Sequence, residues 1–236
     1  MLSLPPVRLP WEELEPASKS TSERQRRAVL RLERLTDSVF SVSILALILI
    51  PAMPHLSSST AGPPTWQWLL QMCPVLLQHG FSGFVLLALW TLHHYEFHYL
   101  TRATGALAWL NTALLFFLAV TPLTTSLLDD LNSTGVATTL YSANLLAILT
   151  LLLLVWRHAL AAGLLFGSDI PPHTVQRMRA ALRCGVAVQF LSTTLAPVTP
   201  NVSLLLTAAL FVTYAIVTVR GGYTLELRRG SSSSAD

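Results

Sequence analysis

The chain has 236 residues, of which 52% are hydrophobic and only 11% are charged, and its formal net charge is +3. A soluble domain of this size carries about a quarter charged residues, so this composition excludes an ordinary soluble globular protein. The excess of positive charge is small, and it gives no indication of a nucleic-acid partner.

The apolar residues are grouped into long runs, and a helix that crosses a membrane needs about 20 mostly apolar residues. Helices are the expected spanning element because lipid offers no partner to unpaired backbone groups, and the alternation typical of barrel strands is absent. In chain order the predicted spans are 30–50, 66–98, 104–128, 136–160, 176–198 and 201–219. The sequence therefore predicts an all-α integral membrane protein with six transmembrane helices.

Polar segments flank this predicted transmembrane domain, which covers residues 30–220. Residues 1–29 form a proline-rich arm, and we expect 1–22 to be flexible and a helix to start near Thr21. Residues 221–236 end in a run of serines and are expected to form a disordered tail.

The positively charged residues predict the orientation. All fifteen lysines and arginines fall on one side of the six-span arrangement. The connections on the other side, 51–65, 129–135 and 199–200, contain none. Positive residues stay on the cytoplasmic face. We therefore expect a multi-pass protein of the plasma membrane with both termini, arm and tail, in the cytoplasm.

Span one begins with charged residues and then becomes apolar. Arg31 and Asp37 lie at its inner boundary, where an ionisable side chain needs a partner or water. Trp90 and His93 of span two lie at a similar depth. We predict that these four residues form an interhelical network. It either holds the two helices together or takes part directly in gating or proton sensing.

The same residues carry a resemblance to a known family. Arg31-Leu32-Glu33-Arg34-Leu35-Thr36-Asp37 resembles the R-x-x-x-F-S-D signature of the transmembrane protein 175 family of potassium channels, with Leu for Phe and Thr for Ser. Trp90-x-x-His93 is similar to the W-x-x-H motif of that family's second helix. The similarity covers most of residues 27–160, whereas spans five and six match in hydropathy only.

The resemblance implies a homotetramer in which helix 1 of each subunit lines a central pore. It places the signature Arg31 and Asp37, with Trp90 and His93, in an interhelical network, to which we add Thr36. The partners implied are other copies of the chain, the lipid bilayer, and permeant K⁺ with other monovalent cations. K⁺ would pass through transiently, without a tightly bound metal or a cofactor, and no nucleic acid is expected.

Helical geometry selects one face of span one. Steps of three and four residues from Leu35 lead to Ser38, Val42, Leu45 and Leu49. By offset from Asp37, Val42 matches the family's principal constriction residue, usually Ile or Leu, and Leu45 matches a position often held by Thr. Four copies of this face would form apolar rings that exclude water. Without the resemblance, ordinary helix packing explains the same residues.

These observations predict a potassium-permeable cation channel with a hydrophobic constriction. The absence of T-V-G-Y-G and the replacement of a hydroxyl by Leu45 predict weak to moderate selectivity. The alternative is a secondary transporter of a small cation or solute, although spans three to six lack charged residues at mid-depth. A membrane enzyme built on His93, His94 and His98 lacks a convincing ligand set, so no enzyme is expected.

Overall fold

The computed structural model describes residues 10–57, 66–130, 134–165 and 172–232. They form six α-helices, and α2 has the bounds of predicted span two. The helices are α1 (Pro10–Ser57), α2 (Trp66–His98), α3 (Gly105–Asp130), α4 (Gly135–Ala161), α5 (Pro172–Leu195) and α6 (Pro200–Ser232). By length and composition alone, α2, α3, α4 and α6 can cross a membrane. The predicted all-α membrane architecture of six helices is confirmed.

The first and last helices are longer than predicted. α1 begins at Pro10, so residues 10–22 belong to the first helix, where a flexible arm was expected. Pro10 occupies the first helical position and Glu12 and Glu13 follow it, both of which favour a helix start. α6 continues to Ser232, so residues 221–232 are helical where a disordered tail was expected. Extending an existing helix fixes only one residue for each new hydrogen bond.

The length of α1 decides how much of it lies outside the membrane. Its 48 residues measure about 72 Å at 1.5 Å per residue. The hydrocarbon core of a bilayer is only about 30 Å thick. A large part of α1 therefore extends beyond the lipid.

The helices pack around a core that α4 supplies with large side chains. Tyr141, Leu145, Ile148, Leu152 and Trp156 are all buried and recur at helical spacing. α4 packs against α3, α5 and α6, whereas α1 packs against α2 and α3. α1 therefore lies on one side of the bundle, next to the helices that carry the predicted network.

Buried hydroxyl groups also join the helices. The Ser192 Oγ of α5 lies 2.8 Å from the Ser203 Oγ of α6, and Ser142 of α4 lies 3.1 Å from the same Ser203 oxygen. On the adjacent face of α4, the Tyr141 hydroxyl lies 3.2 Å from Ser82 of α2. Pairing these groups avoids the cost of leaving a polar atom unsatisfied in an apolar interior.

A glycine turn closes α4 at one end of the bundle. Gly163 has a φ of +60°, which a residue without a Cβ adopts easily. The Leu164 amide then donates to the Ala159 carbonyl at 2.9 Å, which is the Schellman end of a helix. The Leu164 carbonyl accepts hydrogen bonds from both the amide and the hydroxyl of Thr101, each at 2.8 Å. The α2–α3 connection is therefore attached to the end of α4.

The opposite end of the bundle brings two other connections together. A Cβ at Gly135, the first residue of α4, would lie 2.6 Å from the Pro197 carbonyl oxygen. The backbone of the α5–α6 connection is therefore in close contact with the start of α4. At the same end, the Gln78 side chain donates to the Thr125 carbonyl of α3 at 3.1 Å. Among the described residues, Gly135 and Pro197 of the connections without arginine thus lie at the end opposite the α2–α3 connection that contains Arg102, as the charge pattern predicts.

Candidate functional site

Three buried polar side chains join α1, α2 and α3 near the arginine-rich end. They are Thr36, His93 and Asn111, and none has any exposed surface. The Asn111 amide nitrogen donates to the Thr36 hydroxyl at 2.9 Å. The Asn111 amide oxygen lies 3.2 Å from His93 Nε2. An amide oxygen only accepts, so Nε2 carries the hydrogen of this bond.

Apolar rings hold the His93 imidazole in position. The ring stacks on Phe97 of the same helix, with centroids 4.1 Å apart. On its α1 side it meets Phe40 at 6.2 Å in a tilted arrangement. The imidazole thus has a fixed orientation, and its amide partner lies on a third helix.

Two further contacts connect α1 directly with α2. The Trp90 indole Nε1 donates to Asp37 Oδ1 at 2.8 Å, a hydrogen bond strengthened by the charge of the carboxylate. One helical turn away, His94 Nδ1 lies 3.2 Å from Glu33 Oε1. The Trp90 and His94 rings stack on one another with centroids 5.5 Å apart. The antiparallel helices are therefore linked on two successive turns.

The structure brings together Thr36, Asp37, Trp90 and His93 but not Arg31. The Arg31 side chain is exposed, and within the described ranges it forms no hydrogen bond or ion pair. Six residues separate it from Asp37, which turns it well away from α2 on a helix of 3.6 residues per turn. The predicted network included Arg31, and the structure does not place Arg31 in it.

Asn111 is the network residue that sequence reasoning missed. It is absent from the predicted network, yet it contacts both Thr36 and His93. The sequence did contain an indication of this role, because a polar amide side chain in an otherwise apolar span needs a hydrogen-bond partner on another helix. Its partner Thr36 is 75 positions away along the chain, and sequence spacing alone does not identify such a pair.

The predicted face of α1 points away from the bundle. Val42 is 65% exposed, Leu45 53% and Leu49 47%. Ser38 is also exposed, and its hydroxyl donates to the Arg34 carbonyl of its own helix at 2.9 Å. Within one chain this face is apolar and uncovered, and the hydrogen-bonded residues lie on the opposite side of the helix.

The other histidine hypotheses receive no geometric support. His93 is buried, His94 is paired with Glu33, and the His98 ring meets Tyr99 edge-on at 5.3 Å. In the described part of the chain, no three His, Cys, Asp or Glu side chains group as metal ligands do.

Glu96 is buried, and its carboxyl oxygens have no hydrogen-bond partner among the described residues.

Comparison with known proteins identifies relatives, and the matched family model spans the part of the chain that carries the network. The family model described as the endosomal/lysosomal potassium channel TMEM175 matches residues 31–122, which include the whole network. A potassium channel of Streptomyces collinus is 30% identical over 159 residues, covering 64% of this chain and 75% of that channel. A potassium channel of Chamaesiphon minutus is 29% identical over 159 residues, covering 66% and 77%.

The fold is similar to that of a solved structure. The crystal structure of a lysosomal potassium-selective channel TMEM175 homolog from Chamaesiphon minutus superposes with a TM-score of 0.66 at 24% identity. The match covers 82% of this chain and 99% of that one. With the family model on α1–α3 and a relative matched over three quarters of its length, this chain belongs to the TMEM175 family of potassium channels.

Proposed function

We propose that this chain is one subunit of a homotetrameric, potassium-permeable channel whose pore is lined by α1. The observation that carries the proposal is the uncovered apolar face of Ser38, Val42, Leu45 and Leu49, opposite a hydrogen-bonded face. One helix face cannot enclose a pathway, but identical copies around a symmetry axis do so. The number of copies comes from the family resemblance.

The proposed constriction is the ring of four Val42 side chains. An isopropyl group offers no hydrogen bond, so a narrow ring of them excludes water and stops ions. When the ring widens, a cation crosses with part of its hydration shell retained. Potassium loses water more easily than sodium, which favours potassium weakly to moderately. Other monovalent cations are expected to pass at lower rates.

The network on the other side of α1 gives the pore helix its orientation. Thr36 reaches α3 through Asn111, and Asp37 reaches α2 through Trp90. Rotating α1 would break both contacts, the buried one of Thr36 and the partly buried one of Asp37, and a polar group that loses its partner away from water is costly. We infer that the network keeps the apolar face directed at the axis.

We place the protein in the plasma membrane with both termini in the cytoplasm. This orientation is supported by the arginines around the α2–α3 and α4–α5 connections, because positive residues stay on the cytoplasmic side. The transporter alternative is less well supported. Its ion sites require charged or unwound segments at mid-depth, and spans Gly105–Leu128 and Pro200–Thr218 contain no charged residue.

Reconstitution into planar bilayers tests the channel proposal. We expect unitary current steps carried by K⁺, with a reversal potential in K⁺/Na⁺ gradients that indicates modest preference for K⁺. Uptake that saturates and depends on a coupled ion, without unitary steps, would instead identify a transporter. Cross-linking of the purified protein, or its mass in detergent, should give four copies.

A pair of valine substitutions tests the position of the constriction. Val42→Ala removes two methyl groups from each of the four side chains in the proposed ring and should raise unitary conductance or lower selectivity. Val212→Ala, on an exposed face of α6, makes the same chemical change away from the proposed pore. If the two variants conduct alike, Val42 does not form the constriction.

A further inference from the structure

A cationic cavity lies between α4 and α5 at the arginine-rich end, apart from the α1 network. Its volume is about 330 Å³, and it is lined by Arg157, Leu160, Ala161, Arg179 and Arg183. Arg179 and Arg183 are four residues apart on α5, so both project from the same side of that helix. Arg157 of α4 faces them across the cavity.

No acidic side chain neutralises these three arginines in the described part of the chain. There they form neither an ion pair nor a hydrogen bond. Between Asp130 and Glu226 the sequence has one acidic residue, Asp169, which lies outside the described residues. Three guanidinium groups around one cavity repel one another, and an anion between them removes that repulsion.

The side chains that line the cavity indicate which kind of anion would bind there. Guanidinium groups donate paired hydrogen bonds to phosphate oxygens, and several of them around one point suit a phosphate ester. Leu160 and Ala161 add an apolar wall. Exposed apolar side chains follow the arginines in the direction away from this end: Leu154 on α4 lies three positions from Arg157, and Phe190 and Leu191 on α5 lie seven and eight positions beyond Arg183.

We propose that this cavity binds a phosphate-bearing anion, supplied by the headgroup of an anionic phospholipid in the leaflet at this end of the bundle. Basic pockets between transmembrane helices are suited to such headgroups. The arginines would hold the phosphate while the acyl chains lie along the exposed apolar side chains. A free phosphate ion would use the arginines alone, so the apolar surface favours the lipid.

Native mass spectrometry of the purified full-length protein tests the proposal. Phosphatidylglycerol and phosphatidylcholine with identical acyl chains are titrated separately, and inorganic phosphate is added as a soluble competitor. Arg183→Gln is compared with Arg177→Gln, which removes the same charge from an exposed α5 residue outside the cavity lining. Gel filtration establishes that both variants have the size of the unsubstituted protein.

We expect phosphatidylglycerol to bind in preference to phosphatidylcholine. Arg183→Gln should weaken that binding about tenfold, the usual effect of losing one hydrogen bond to a charged group, and Arg177→Gln less than about twofold.

Displacement of the lipid by millimolar inorganic phosphate, with the same dependence on Arg183, would retain the phosphate site but overturn the lipid source. Equal binding of both lipids, or equal affinity in both variants, would overturn the site. Because no current is measured, this result is independent of channel activity.

Discussion

Two faces of α1 share one backbone but have opposite surroundings. One face is buried against α2 and α3, and the other is uncovered within the chain. The buried face consists of Thr36, Phe40, Ser43 and Leu47, and the uncovered face of Ser38, Val42, Leu45 and Leu49. Thr36 of the buried face is hydrogen-bonded within one chain, whereas the apolar face is left exposed by the residues that the structure describes. A single subunit thus fixes the rotation of α1 but leaves its other face for a pore or for lipid.

The two faces are physically coupled. A buried polar group that loses its partner costs about 1–3 kcal/mol. The buried contact of Thr36 with Asn111, supported by the partly buried contact of Asp37 with Trp90, therefore opposes rotation of α1. The direction of Val42 is therefore set by residues that face away from it. Substitutions on the buried face should change stability, whereas those on the uncovered face should change conduction.

The largest difference is expected for two leucines of α1. Leu47→Ala removes a fully packed side chain and should lower the free energy of unfolding by about 3 kcal/mol through the cavity it leaves. Leu45→Ala, two residues away on the uncovered face, should change it by less than about 0.5 kcal/mol. Unfolding in mixed micelles with increasing dodecyl sulfate measures both. Equal losses would show that the uncovered face is packed in the assembled protein.

A smaller loss is expected from removing the central amide of the network. Asn111→Leu takes away the partner of both Thr36 and His93 and should cost about 2 kcal/mol. The neighbouring Thr112 is exposed, and its hydroxyl donates only to the Ala108 carbonyl of its own helix. Thr112→Val is thus the matched control and should be nearly neutral in the same measurement. A neutral Asn111→Leu would mean that the amide does not hold the three helices together.

Removing one hydrogen bond should have a smaller effect again. Trp90→Phe keeps an aromatic ring but loses the donor to Asp37, and should lower the free energy of unfolding by about 1.5 kcal/mol. Trp109 is 78% exposed, so Trp109→Phe makes the same chemical change without a buried partner. If Trp90→Phe also broadens the distribution of unitary conductances, the Asp37 contact contributes to the orientation of α1.

The sequence was sufficient for the architecture and for most of the network. Long apolar runs predicted all six helices, and α2 matches its prediction at both ends. Depth and charge placed Asp37 and Trp90 in one predicted network, because both lie near the inner boundary of adjacent helices, and in the structure these two side chains are hydrogen-bonded. The extended ends of α1 and α6 were missed because charged residues and serines indicate only that a segment is exposed to water. A helix that continues outside the membrane is also exposed to water, so composition does not distinguish it from a flexible segment.

The contacts that were missed depend on packing between distant segments. Asn111 lies on a third helix, and its role depends on which face of α3 meets α1. Arg31 was included for its charge, although its position around the helix directs it away from α2. The cavity of Arg157, Arg179 and Arg183 also depends on how α4 and α5 are placed side by side. Hydropathy predicts that helices exist, but side-chain fit decides their rotation.

The smallest effect concerns selectivity, and it tests the uncovered face most directly. Leu45→Thr restores a hydroxyl at a position where the family often has one. A neutral hydroxyl contact with a partly dehydrated ion, at about 0.6 kcal/mol, would raise the K⁺/Na⁺ permeability ratio about threefold. Leu205→Thr, on an exposed face of α6, is the control and should leave the ratio unchanged. Reversal potentials under bi-ionic conditions measure both variants. An unchanged ratio in Leu45→Thr, with normal expression and conductance, would mean that permeating ions do not contact position 45 and that the uncovered face meets lipid there.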